Sequence, residues 1–307
     1  VTPGRDHDGR GASDTSGARA ALACVIAAHT DPAQLHRLIA ALDPFPVFLH
    51  CDAATAPDVF AAMTADLPAR VTVLPRFATP WAAFGVVDAE IAGYRAALAG
   101  TSATHIAMMT GADYPLAGSD EIIAFLSDHV GRSVTNFFPL PQPAWGRGGG
   151  LPRLRYRHKP WGRRMLRLPI PRRIPAGLVP AGGAQQKVLA RHHVQAVVDA
   201  YDARPDLVRF WRTVWAPDES FVPTILHSPG FTPDWADAHL RTNLWFQDWG
   251  TGGQKGPSWL TVRHLDALAE RRRSNPPTLF ARKFSPSRDA AVLDAVDEMV
   301  RAPSSAA

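Results

Sequence analysis

Residues 21–28, ALACVIAA, form a short unbroken apolar run, the pattern of a strand buried on both faces. Asp31-Pro32 then opens a different period, with Leu35, Leu38, Ile39 and Leu42 spaced along one face of a helix. The alternation continues: residues 46–51 (PVFLHC) read as a strand ending at Asp52, 56–67 as a helix, and 70–75 (RVTVLP) as a strand. Residues 84–99 form an alanine-rich helix, THIAMMT at 104–110 a strand, and Ser119 stands at a capping position before DEIIAFLSDHV. AGGA at 181–184 reads as a flexible turn leading into a helical stretch through about residue 202. Strands alternating with helices predict an α/β fold with a largely parallel central sheet flanked by helices. Its ligand site is expected outside the carboxyl ends of the strands, where His29, Asp31, His50 and Asp52 stand.

Composition refines this picture in one place. The 307 residues are 46% hydrophobic with a net charge of +5, ordinary for a globular protein that buries a large core. The positive charge gathers in residues 147–173, an arginine-rich run without Asp or Glu. Trp161, Met165, Leu166, Leu168 and Ile170 interleave with arginines there, which suits peripheral membrane contact or a phosphate-bearing substrate; a solvated loop is the plainer alternative. Its prolines limit any helix to a short piece. No zinc-finger spacing, RNA-binding signature or recognition-helix pattern accompanies the run, so a nucleic-acid partner is not expected. Cys24 and Cys51 read as buried free thiols, with a bridge between neighbouring strands as the alternative. Residues 1–19 are polar and glycine-rich, expected to be a disordered tail without an apolar leader, and no stretch is long enough to span a bilayer. A cytoplasmic protein is the resulting expectation.

Several residues carry candidate chemistry. In APDESFVPTIL at 216–226, Pro217-Asp218 can cap a helix beginning near Glu219, which would hold that carboxylate in a defined place as a general base. The plainer reading is a first-turn acidic residue stabilised by the helix dipole. In LFARKF at 279–284, Phe280 and Phe284 bury an extended segment, Lys283 is a candidate cation for a departing diphosphate, and Arg282 on the opposite side suits a structural pair. Taken alone, Lys283, like Lys255, reads first as a solvated surface charge, because surface lysines are common. Asp113 and Tyr114 can orient substrate hydroxyls or shape a turn, and Trp245, Trp249 and Trp259 can stack on sugar rings or fill core. At the strand ends, His50-Cys51-Asp52 and Gly111-Ala112-Asp113 each lack the first carboxylate of an Asp-x-Asp metal motif, and His192 and His193 are expected to diverge from their helix without spaced partners, so no metal is expected. The absence of GxGxxG and Walker sequences argues against dinucleotide enzymes and P-loop kinases.

Five segments together resemble the core-2/I-branching β-1,6-N-acetylglucosaminyltransferase family, which includes the peptide O-xylosyltransferases. They are VIAAHTD (25–31), FLHCD (48–52) with MMTGADYPL (108–116), AGGAQQKVLARHHVQAVV (181–198), APDESFVPTIL and LFARKF. The resemblance implies a GT-A-like glycosyltransferase domain over residues 20–300, with a nucleotide-binding half at about 20–130, a basic insertion at about 145–176, and an acceptor and catalytic half at about 180–300. It implies an inverting, metal-independent transfer of N-acetylglucosamine or xylose from a UDP-sugar, with no other cofactor. Glu219 would be the base, with His29 and Asp52 on the nucleotide side, Lys255 and Lys283 on the diphosphate, and Asp113, Tyr114 and Trp249 toward the acceptor. The acceptor would be a glycan, protein, small-molecule or lipid-linked hydroxyl. The chain departs from the family at Gly183-Ala184-Gln185-Gln186, where a serine and an aromatic are usual. That departure and the arginine run favour, as the alternative, a sugar-nucleotide or carbohydrate-binding protein without turnover.

Overall fold

The computed structural model describes residues 19–161, 164–250 and 256–302; Lys255 and the residues 1–18 of the expected tail lie outside them. In the first half β1 (Leu22–Ala28), α1 (Pro32–Ala41), β2 (Val47–Cys51), α2 (Pro57–Thr64), β3 (Val71–Val73), α3 (Gly85–Gly100) and β4 (His105–Thr110) follow in the expected order. β1 pairs in parallel with β2 and β4, and β2 with β3. The apolar run of β1 serves two cores, because successive side chains leave opposite faces of a strand. Leu22, Cys24 and Ile26 pack with Leu35 and Leu38 of α1, whereas Ala23 and Val25 pack with Val87, Ile91 and Tyr94 of α3. α3 comes close because Gly93 lacks a side chain; a Cβ there would fall 2.2 Å from Val25 Cγ1.

Beyond β4 come β5 (Asp113–Pro115) and α4 (Ser119–Ser127). The cap of α4 is Gly118 rather than Ser119, and its N–H donates to Glu121 Oε2 at 3.0 Å. β6 (Ser133–Thr135) and β7 (Phe138–Pro139) precede the arginine-rich run, in which α5 (Leu151–Arg155) leads into the paired strands β8 (Tyr156–Trp161) and β9 (Arg164–Pro171). Arg172 anchors their base to the body by donating to Leu154 O at 2.9 Å, Phe210 O at 2.8 Å and the Thr213 hydroxyl at 2.6 Å. The loop alternative therefore gives way to a pinned hairpin, which leaves Trp161 and Ile170 exposed.

The second half departs most from its expected pattern. β10 (Ala181–Gly182) is followed by β11 (Lys187–Ala190), and only then by α6 (Arg191–Ala203), where the sequence had suggested helix from the turn onward. The four residues of β11 are wholly buried between β4 and β6 and run antiparallel to both, so sheet pairing overrides local helical periodicity. α7 (Pro205–Trp211), α8 (Phe221–His227), β12 (His239–Arg241), β13 (Trp245–Gln247), α9 (Leu265–Arg272), β14 (Phe280–Arg282) and α10 (Ala290–Arg301) complete the described chain. The central sheet has seven strands in the order β12-β6-β11-β4-β1-β2-β3, with β11 the strand that opposes its neighbours. A smaller sheet, β13-β14-β5, sits beside its carboxyl edge through the β4–β5 turn.

Cys24 and Cys51 are free and buried. The strand register sets Cys24 opposite Val47 and Cys51 opposite Ala28, so they lie four residues apart along neighbouring strands, far beyond disulfide reach. Burial raises both thiols, to about 12 and about 11. Among the described residues no helix is long and apolar enough to cross a membrane.

Among the described residues one ion pair is fully enclosed, Lys187 Nζ to Glu90 Oε1 at 2.7 Å, joining β11 to α3. Lys187→Met strands a buried carboxylate and is expected to cost about 3–5 kcal/mol in urea unfolding, whereas adding Glu90→Leu restores much of that loss. A single substitution costing under about 1 kcal/mol would show that the pair is not needed.

Candidate active-site crevice

The carboxyl ends of β1 and β2 form one wall. Asp52 closes its loop by accepting from Ala54 N–H at 2.8 Å, Thr79 N–H at 3.3 Å and the Thr79 hydroxyl at 2.5 Å. Burial alone would raise its pKa, but these bonds and nearby His29 bring it below the ordinary value. His29 is exposed on the adjoining turn, whose carbonyl accepts from the Thr55 hydroxyl at 3.1 Å. His50 does not join them: it is buried, its Nε2 accepts from Phe77 N–H at 2.9 Å, and its ring stacks on Phe77. Arg76, which sequence reasoning missed, gathers the carbonyls of Asp52, Ala53 and Thr55 at 2.8–3.2 Å. Only tertiary proximity could have singled it out.

The opposite wall is β14 and the β4–β5 turn. Asp113 is fully buried; its carboxylate accepts from Thr110 N–H at 2.9 Å and the Thr110 hydroxyl at 2.8 Å, and Arg282 lies 3.6 Å away. Burial dominates and raises its pKa, opposed by Arg282 and Thr110. Tyr114 is buried too, with its hydroxyl donating to Asp297 at 2.7 Å and its ring edge against Phe284. Neither side chain has surface to offer an acceptor, and both hold the scaffold, the second of the two readings left open for them. Arg282 makes the structural pair expected of it. Lys283 projects from the other side of the strand end, with Nζ 4.5 Å from the ring centre of Trp259, and Arg288 reaches the same indole at 5.8 Å. Burial, then the charges of Arg282 and Arg288, lower the Lys283 pKa. Two cations over one half-buried indole make an anion-receptive corner. The Asp31 carboxylate ties this corner to β1, accepting from the Ser285 hydroxyl at 2.5 Å and from Gln34 N–H at 3.1 Å.

Glu219 sits in a 3-10 turn, Pro217–Glu219, and not in the first turn of a helix; α8 starts two residues later. The preceding Ala216 has φ 49°, costly for a residue with a Cβ, and its N–H donates to the carbonyl of Ala82, itself at φ 56°. Two strained turns thus hold each other beside the site. Arg153 Nη1 binds Glu219 Oε2, and its guanidinium lies 4.2 Å from the ring centre of Trp145 and 4.8 Å from that of Trp215. Oε1 of Glu219 has no partner among the described residues. Trp145 fits because Gly150 and Gly182 pack on its ring; a Cβ on either would lie within 2.6 Å of it. Arg153, Trp145, Trp215, Trp81, Arg147 and Arg167 line part of a groove of about 1040 Å³ that runs from Glu219's partner toward the hairpin. Their signal in the sequence was the arginine run, but Trp81 and Trp215 come from distant segments.

One short loop links the two regions. Gly183 N–H donates to Glu219 O at 3.0 Å, and Gln186 three residues on accepts from Gln247 Nε2 at 3.2 Å. Gln247 stands beside Arg282 in the β13–β14 register, next to Lys283. Trp249 is half exposed nearby, its indole N–H donating to Gln247 Oε1 at 3.2 Å. Trp245, in contrast, is core, stacked on Phe280. The expected divergence of His192 and His193 is also overturned, because both rings turn toward Asp234.

Asp218, next to Glu219, is half-buried, with its Oδ1 enclosed and without a hydrogen-bond partner among the described residues. Burial, then the Glu219 carboxylate, push its pKa well up, against the pull of Lys187. With a folded pKa above its unfolded value of about 3.9, the folded state holds this proton more tightly. The associated stability is present below the unfolded value and is lost as pH rises through the folded one. Asp218→Asn is expected to remove that loss, read as a flatter urea midpoint between about pH 4 and pH 8. An unchanged slope would assign the dependence elsewhere.

The family model for the Core-2/I-Branching enzyme matches residues 34–269, a span that contains Asp52, Asp113 and Glu219. Over 197 residues the chain is 30% identical to Xylosyltransferase 2 of Rattus norvegicus and of Homo sapiens, covering 62% of this chain and 22% of each relative. To Xylosyltransferase 1 of Homo sapiens it is 29% identical over 189 residues, 57% of this chain and 19% of that one. The chain therefore spans about a fifth of the length of the curated relatives it matches. Because the family match takes in well over half of its residues, the chain belongs to the core-2/I-branching enzyme family.

Proposed function

We propose that the protein is an inverting glycosyltransferase of GT-A-like architecture that moves xylose or N-acetylglucosamine from a UDP-sugar to an acceptor hydroxyl without a catalytic metal. The observation that carries this reading is Glu219, a carboxylate held by Arg153 beside an aromatic groove and linked through Gly183–Gln186 and Gln247 to the strand end that bears Lys283. A base and an anion-receptive corner joined by one loop match the two charges that develop when a glycosyl bond to diphosphate breaks. The relatives named as xylosyltransferases support xylose as the first donor to try.

In the proposed step the acceptor oxygen attacks the anomeric carbon as the bond to the β-phosphate oxygen breaks. Glu219 Oε1 takes the hydroxyl proton, while Arg153 keeps Oε2 and so fixes the carboxylate's direction. UDP departs with its new charge near Lys283 and Arg288, with Lys255, outside the described residues, as a further candidate. His29 and Asp52 would border the nucleotide. The groove's arginines and tryptophans favour an acceptor that offers a sugar face together with an anionic group, and exposed Trp161 and Ile170 on the hairpin favour one presented at a membrane surface.

A second reading has its own observation. Arg153 already occupies one oxygen of the Glu219 carboxylate, and a carboxylate committed to an ion pair suits a binding protein without turnover. UDP release from UDP-xylose, UDP-N-acetylglucosamine, UDP-glucose and UDP-galactose, measured with EDTA present, separates the two. Glu219→Gln is expected to lower turnover by about 10²- to 10⁴-fold while leaving UDP affinity intact. Binding without turnover for every donor and acceptor tried would favour the second reading. Lys283→Ala is expected to weaken UDP binding about tenfold or more in titration calorimetry, and unchanged affinity would remove Lys283 from the diphosphate corner.

A further inference from the structure

A second cluster of ligand-type side chains lies at the edge of the sheet opposite the crevice. In the β11–β4 register Lys187 pairs with Met108 and Ala190 with His105, so β11 leaves the crevice and ends at the far edge. α6 begins there and carries His192 and His193 in its first turn. Asp234 comes from the connection between α8 and β12, some forty residues further along the chain. His192 Nε2 lies 2.9 Å from Asp234 Oδ2 and His193 Nε2 lies 3.6 Å from Asp234 Oδ1. One ligand atom from each of the three residues falls within 4.8 Å of the others. A tetrahedral zinc ion with bonds of about 2.0–2.1 Å sets its ligand atoms about 3.3 Å apart, so the three already stand close to the spacing an ion imposes.

A simple histidine–aspartate hydrogen bond accounts for His192 but not for His193. The His193 side chain is fully buried and its Nε2 has no hydrogen-bond partner among the described residues, because 3.6 Å exceeds a hydrogen bond. A buried ring nitrogen left without a partner is costly unless something else meets it. Its other nitrogen, Nδ1, is 2.7 Å from Ser133 Oγ, which also accepts from Ala190 N–H at 2.9 Å. A hydroxyl oxygen has two lone pairs, so Ser133 Oγ can accept from both; in that tautomer the proton sits on Nδ1 and the Nε2 lone pair is open to a cation. Outer hydrogen bonds of this kind fix the tautomer of metal-bound histidines. The support is tied back to the third ligand: Ser133 N–H donates to Ala238 O, and Ala238 N–H donates to Asp234 O, both at 2.9 Å. His192 and Asp234 are about half exposed, so an ion can enter and water can complete the coordination.

We propose that His192, His193 and Asp234 form a three-ligand site for a divalent transition-metal ion of the zinc class. Two imidazoles and one carboxylate suit zinc, and its cobalt and nickel analogues, better than the all-oxygen cations magnesium and calcium. The ion pins the start of α6 to the α8–β12 connection. Its place at the far end of β11 makes it a structural centre that takes no part in sugar transfer.

The full chain, stripped with a chelator and dialysed, is titrated with Zn²⁺ by calorimetry and with Co²⁺ by visible absorption. One ion per chain, tetrahedral Co²⁺ bands and a rise in melting temperature with Zn²⁺ are expected. His192→Ala and Asp234→Asn alter half-exposed side chains and are expected to weaken binding at least about tenfold, with Ser133→Ala producing a smaller loss through the His193 tautomer. Substoichiometric binding by the parent protein, or the same affinity in both ligand variants, overturns the site. The readout is metal binding, so its outcome is independent of whether the protein transfers sugars.

Discussion

The fold turns on the insertion of β11 between β4 and β6, with Lys187 at its head paired to Glu90 in the interior. A lysine ammonium is tolerated inside a protein only when a carboxylate stands against it. That requirement sets how far β11 can slide and how α3 lies across the sheet. Residues just before Lys187 make the loop that bonds the Glu219 turn on one side and Gln247 on the other. Asp218 feels the same buried charges, so the turn presenting Glu219 and the ion pair beneath it belong to one electrostatic unit. Displacing the strand would disturb every element that faces the crevice.

The crevice divides its charge by task. Asp52 and Asp31 spend their carboxylates on loop closure, accepting from Thr79, Ala54, Gln34 and Ser285, and so shape the strand ends. Asp113 spends its own on Thr110 and Arg282. Lys283 and Arg288 remain over Trp259, and Oε1 of Glu219 remains without a described partner. Saturated groups hold the walls, while Lys283, Arg288 and Oε1 of Glu219 keep hydrogen-bonding capacity that no described residue uses. The arginine-rich run extends one wall outward through its hairpin and, from α5, brings Arg153 against Glu219, so it acts locally and not merely as surface charge.

Much of the first half was legible in the sequence because its elements are local. The apolar run of β1, the 3.6-residue period of α1 and the alternation through β4 each follow from burial on a regular backbone, and the strand ends mark the crevice. The motifs singled out Glu219 and Lys283 as candidates, and the structural pair expected of Arg282 is present. β11 was not legible, since KVLA followed by RHHVQAVV has helical periodicity and only the gap between β4 and β6 makes a strand of its first four residues. The sequence left two roles open for Asp113 and Tyr114, because burial is set by what covers a residue, here Arg282, Phe284 and α10.

Taken alone, the sequence determined the α/β class, the order of the early elements, the two free cysteines' place in core strands, and the motifs that mark the family. These depend on periodicity and on residue identity, which a linear chain displays. Tertiary structure decided which charges meet: Arg153 with Glu219, Lys187 with Glu90, and Asp234 with two histidines some forty residues away. Such partnerships form where folding closes long loops and removes water between side chains. Linear spacing carries no measure of either distance or desolvation, and those two quantities govern the strength of every charge interaction in the site.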